Sequence, residues 1–203
     1  MLELIFQELS INYDSKAGSL KALFQDMDRL LAERNLVLYG IKIDDKEIFD
    51  DYIQHLEEEV GRYSTIKPMV ATRKEIRDNL LLSTEQYLMR ANPALKQMSS
   101  QFYREPSEDT WTLFQQWSEG FEWIQRMLEN ITISCHLPIG WDQCKQTFFE
   151  THPFLVDLEQ AMEHGDWTLV GDILTHEILP RYESLHFQIS MIIDQEVVRD
   201  DLN

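Results

Sequence analysis

The sequence predicts an α+β protein, mostly helical, in which a small N-terminal mixed sheet (strand, helix, hairpin, helix, strand) packs with a C-terminal helical bundle. Three observations predict it. Runs rich in strand formers occur only before residue 72, the apolar residues beyond it recur at three- and four-residue spacing, and no repeat or Gly/Ser linker divides the chain. The expected organisation is a small α+β subdomain over residues 1–72 and an acidic helical bundle over 73–203, sharing one compact body.

Leu2, Leu4 and Phe6 alternate, which favours a short first strand within residues 2–11, followed by a turn at 12–15. Leu20, Leu23, Phe24, Met27, Leu30 and Leu31 then mark an amphipathic helix ending near Asn35. Leu36 to Ile43 is rich in strand formers, and Asp44-Asp45-Lys46 interrupts it before Glu47-Ile48-Phe49, the pattern of a tight hairpin. An acidic helix over about 50–61 would turn Ile53, Leu56 and Val60 inward. Thr65 to Ala71 reads as extended, with Pro68 demoting it to an edge strand. This order matches the split βαβ arrangement of ferredoxin-like domains.

Thr72, with Glu75 three residues on, offers a capping box to a helix that buries Ile76, Leu80, Tyr87 and Leu88. Asn92-Pro93 caps or kinks it, and a further helix runs through Leu95, Met98 and Phe102. Ser107 starts a core helix whose inward set is Trp111, Phe114, Trp117, Phe121, Ile124 and Leu128. Residues 131–140 read as irregular, and a short helix follows from Trp141 to Glu150. Pro153 opens a helix ending at Gly165. Asp166 caps the longest one, which keeps its apolar spacing from Leu169 to Val197 across an expected kink at Pro180.

The composition narrows the function. The 203 residues carry 18 Lys+Arg against 36 Asp+Glu, a net charge of −18, with 43% hydrophobic and 11% aromatic residues, as a packed core requires. The acidity is lopsided: residues 1–105 hold 14 basic and 18 acidic side chains, whereas 106–203 hold 4 and 18. Such a field repels phosphate backbones and anionic lipid, so neither nucleic acid nor membrane is an expected partner. No uncharged apolar run approaches the roughly 18–20 residues of a membrane span. The acidic amino terminus is unlike a secretory signal, and two cysteines are too few for a disulfide framework. The expected location is cytoplasmic.

Two stretches carry a resemblance. Ile43-Asp44-Asp45 with Glu47, Phe49 and Asp51-Tyr52-Ile53, and Asp166-Trp167 with Asp172-Ile173-Leu174 and Glu177-Ile178-Leu179-Pro180, resemble patterns in uncharacterised proteins of Gram-positive bacteria. Those proteins often have glycine where this chain has Asp45. The resemblance implies a bacterial cytoplasmic protein and brings no site residues.

Familiar catalytic motifs are missing. The seven glycines form neither a phosphate-binding loop nor a Gly-x-Ser-x-Gly turn, and Glu57-Glu58-Glu59 with Asp50-Asp51 lack the spacing of a calcium loop. Six histidines, His55, His136, His152, His164, His176 and His186, supply one Glu-x-x-His pair, Glu183 with His186, where a di-iron bundle needs two. Cys135, His136 and Cys144 lack a fourth zinc ligand. No cofactor is expected.

Trp123 departs from the core spacing of its helix and sits among Glu119, Glu122 and Glu129, an acidic and aromatic patch for partner binding. The leading expectation is a non-enzymatic adaptor or chaperone-like protein whose acidic helical surface, around an apolar groove, holds a basic or amphipathic partner segment. The competing readings are a metal-dependent enzyme built on Glu183 and His186 and a structural homo-oligomer.

Overall fold

The computed structural model describes residues 2–14, 17–58, 64–133 and 137–197. The chain divides into two compact units, Met1–Ile76 and Arg77–Asn203. The first holds the strands β1 (Leu2–Phe6), β2 (Leu9–Tyr13), β3 (Val37–Ile43), β4 (Lys46–Ile48) and β5 (Thr65–Ala71), with the helices α1 (Ala17–Arg34) and α2 (Tyr52–Glu58). The sheet order is β2-β1-β5-β3-β4; β1 and β5 are parallel, and every other pair is antiparallel.

Three expectations for the sheet need correction. The chain before α1 is a hairpin rather than one strand, because Gln7 adopts φ 55 and closes a two-residue turn between Phe6 and Leu9. The sheet is therefore not ferredoxin-like: β5 lies between β1 and β3, an order of the β-grasp type. Nor is β5 an edge strand. Its neighbour β1 pairs only with Thr65 and Ile66, so at Pro68 only the β3 flank is laddered and the proline is tolerated.

The β3–β4 hairpin forms where the sequence places it, and it also fixes β5. Asp44 turns the chain at φ 48, while Asp45 keeps a negative φ and accepts a side chain without strain. The Asp44 carboxylate accepts hydrogen bonds from Thr65 N (2.9 Å), Ser64 Oγ (3.0 Å) and Ser64 N (3.2 Å). The Thr65 N–H does most to hold this carboxyl below its ordinary pKa, with desolvation opposing and the two Ser64 bonds adding. Leu2, Leu4, Ile41, Ile43 and Ile66 of the sheet bury against Leu20, Leu23 and Met27 of α1 and Leu56 of α2. Ile53, expected inward, is 51% exposed, and Val60 lies outside the described residues.

The helix α3 (Arg73–Gln101) begins with the expected capping box: Thr72 N donates to Glu75 Oε2 (2.7 Å), and Glu75 N donates to Thr72 Oγ1 (3.1 Å). It is one helix of 29 residues with Pro93 inside it, not the expected two. The proline removes one intrahelical hydrogen bond, and the burial of Leu88, Leu95 and Met98 on both sides of it holds the helix together.

Next come α4 (Glu108–Ile133), α5 (Trp141–Phe149), α6 (His152–Glu163), α7 (Trp167–Asp172), a π-helical segment (Ile173–Ile178) and α8 (Leu179–Glu196). Just upstream of Pro180, where a kink is expected, lies this wider turn, in which Leu179 N bonds Leu174 O. Residue 180 has no N–H to give, and the wider turn accommodates the lost bond. Trp111, expected in the core, is 39% exposed. The core itself includes Phe102, Trp117, Phe121, Phe148, Tyr182, Leu185 and Ile189. The buried Arg77 guanidinium binds Asp78 through Nε (2.9 Å) and Nη2 (2.7 Å), and its Nη1 lies 3.3 Å from Glu196. Glu196 also accepts the backbone N–H of Ile139 (2.8 Å).

Candidate functional site

The residues singled out for partner binding all lie on α4. Its start is fixed by Ser107 and Thr110, whose hydroxyls lie 3.0 Å apart; the buried Thr110 hydroxyl also reaches Gln101 at the end of α3 (3.0 Å). From there, helical spacing sends Trp117, Phe121, Ile124 and Leu128 inward. Glu119, Glu122 and Trp123 share a neighbourhood at i, i+3 and i+4, and Glu129 follows Glu122 two turns later. All three carboxylates are exposed. Glu119 accepts the Gln115 amide (3.0 Å) and Glu129 the Gln125 amide (3.1 Å), and none of the three pairs with a cation among the described residues.

Trp123 is half-buried, as its break in spacing predicts, and its ring lies 5.8 Å from that of Tyr87 on α3. Tyr87 fits because Gly120 has no side chain: a Cβ there would lie 1.8 Å from the tyrosine hydroxyl oxygen. Burial raises the pKa of this hydroxyl.

Tyr87 also belongs to a groove of about 360 Å³ between α3 and α4, which sequence reading missed. Its walls are Tyr87, Arg90, Ala91, Ala94, Leu95 and Met98 from α3 with Leu113, Gln116 and Trp117 from α4. Leu95, Met98 and Trp117 are buried at its floor, whereas Arg90, Ala94 and Gln116 are exposed at its mouth. The available signal was the pair of small residues Ala91 and Ala94, one turn apart on α3.

Beneath the groove, Tyr182 is fully buried, and its hydroxyl is held well above the ordinary tyrosine pKa by burial first and by Tyr87 second, with Trp117 opposing. The Trp117 indole N–H and the Tyr182 hydroxyl are close, but neither completes a hydrogen bond of good geometry. Such groups contribute less than their number implies, since an unmade buried bond costs about 1–3 kcal/mol.

The metal candidates do not converge. Glu183 is exposed and His186 half-buried, with no hydrogen bond or ion pair between them. His152 stacks on Phe149 with ring centroids 5.1 Å apart, His164 Nδ1 lies 2.7 Å from Gln160 O, and His176 Nε2 lies 4.0 Å from Asp172. Cys144 is buried, and burial pushes its thiol up to about 12; Cys135 and His136 lie outside the described residues. Among the described residues no group of three or more His, Cys, Asp or Glu side chains is placed to hold a metal ion, and no helix is long and apolar enough to cross a membrane.

Neither the curated proteins nor the solved structures give a match to the chain. Residues 79–188, which carry the groove and the α4 carboxylates, match the family described as Domain of unknown function (DUF8042). The match spans more than half of the sequence, and the chain belongs to that family.

Proposed function

We propose that this chain is a non-enzymatic protein-binding protein, an adaptor or chaperone-like molecule of a Gram-positive bacterial cytoplasm, whose α4 surface holds a basic or amphipathic segment of a partner. One observation carries the reading: Glu119, Glu122 and Glu129 stand exposed without an ion pair among the described residues, on the helix that also carries the half-buried Trp123. Arg126 on the same helix forms no ion pair with them. Uncompensated carboxylates beside an aromatic ring favour a partner that brings both positive charge and apolar surface.

The test is titration with an 18-residue amphipathic peptide of leucine and lysine at low and high salt. Binding weakens as the Debye length falls from about 10 Å at 0.1 M salt to about 3 Å at 1 M. The variant carrying Glu119→Gln, Glu122→Gln and Glu129→Gln loses most of that salt-sensitive binding while its unfolding midpoint stays close to that of the parent. Equal binding by parent and variant overturns the reading.

A further inference from the structure

The groove between α3 and α4 supports an inference that goes beyond partner binding by the carboxylates. We propose that it binds a free single-chain amphiphile bearing one carboxylate, with the aliphatic body in the groove and the carboxylate on Arg90.

The size comes first. About 360 Å³ is at the small end of ligand sites, enough for a medium-length chain and too small for a folded segment. The lining supplies the polarity. Leu95, Met98 and Trp117 form a buried apolar floor, and the small side chains of Ala91 and Ala94 leave the volume above it open. Apart from the indole N–H of Trp117, polar groups appear only towards the mouth and the wall, and among them Arg90 alone carries a full charge at neutral pH.

Arg90 is available for a ligand. Its Nε donates to Gln86 O (3.2 Å), which fixes the base of the guanidinium, and it forms no ion pair among the described residues. In a chain of net charge −18, a guanidinium without a carboxylate partner at the mouth of an apolar groove is complementary to an anionic head group. The surrounding acidity disfavours any anion that cannot reach Arg90, so the pairing confers selectivity as well as affinity. A dianionic phosphate head would meet the same repulsion with twice the charge and only one cation to offset it.

Isothermal titration of the full chain with decanoate, decanol and decylamine, which share a tail and differ in head group, tests this directly. Decanoate should bind with one-to-one stoichiometry and about tenfold or more tighter than either analogue. Arg90→Gln should bring decanoate down to the level of decanol without changing the decanol affinity. Ala94→Trp, at an exposed position of the mouth, should abolish decanoate binding while leaving the helical circular dichroism intact, and Ala91→Leu narrows the same groove if the tryptophan variant does not fold. Phosphatidylglycerol vesicles should neither retain the protein nor compete with decanoate. The proposal is overturned by an absence of saturable binding, by equal affinity for the three head groups, by unchanged decanoate binding in the filled groove, or by capture on the vesicles. Loss of peptide binding in the glutamine variant with decanoate binding retained would separate this site from the carboxylates on α4.

Discussion

Helices α3 and α4 wall the same groove, yet they differ in charge and in how they are anchored. α3 carries Arg73, Lys74, Arg77, Arg90 and Lys96 against Glu75, Asp78 and Glu85, while α4 carries Glu108, Asp109, Glu119, Glu122 and Glu129 against Arg126 alone. Helix α3 pairs its buried charge, binding Arg77 to Asp78 and Glu196, whereas α4 leaves its carboxylates in solvent and buries aromatic rings instead. The difference teaches that two helices walling one groove can carry opposite charge, while the groove's own lining holds a single charged group, Arg90.

The comparison breaks most visibly where α4 turns inward. Phe121 lies 4.6 Å from Phe148 and 5.8 Å from Trp117 by ring centroids, so Phe121→Ala should cost about 3–5 kcal/mol in urea unfolding. A loss below about 1 kcal/mol would mean that the aromatic face of α4 is not its anchor. Gly120→Ala is the next largest change, because the added methyl meets the Tyr87 hydroxyl and the ring must swing away. About 1–3 kcal/mol is expected, together with a change in the near-ultraviolet circular dichroism from Tyr87 and Trp123.

The two helix starts sharpen the contrast further. Thr72→Ala removes a capping box closed by a carboxylate and should cost about 1 kcal/mol in thermal unfolding. Ser107→Ala should cost less, since its bond to Thr110 N is long at 3.3 Å and Thr110 keeps its own bond to Gln101. The reverse order would show that α4, not α3, depends on its cap. Smallest of all, Glu122→Gln and Arg90→Gln should each change stability by no more than about 0.5 kcal/mol, since both side chains are exposed and neither forms an ion pair among the described residues. A larger loss from either one would assign it a structural partner.

Much of this architecture was legible locally. The Thr72–Glu75 pair, the Asp44 turn and the Asp166 cap each announce themselves within four residues, and each forms as the spacing predicts. Trp123 was legible for the opposite reason, since it interrupts a regular apolar pattern. What escaped depends on residues far apart in sequence. The Gln7 turn has none of the glycine or asparagine that usually marks φ above zero, and the inner position of β5 follows from bonds between Asp44 and residues twenty places on. Trp111 has the spacing of a core residue, but near the start of α4 it remains 39% exposed, packing beside Phe102 and Trp167. The groove was hidden because it consists of missing volume, which side chains such as Ala91 and Ala94 signal only once a facing helix is known.

The contact between Arg77 and Glu196 has a consequence for how the helical unit opens. Arg77 lies in the first turns of α3 and Glu196 at the end of α8, and their side chains meet at 3.3 Å. Opening either helix end would strip a partner from a buried guanidinium, so the two ends melt together rather than one after the other.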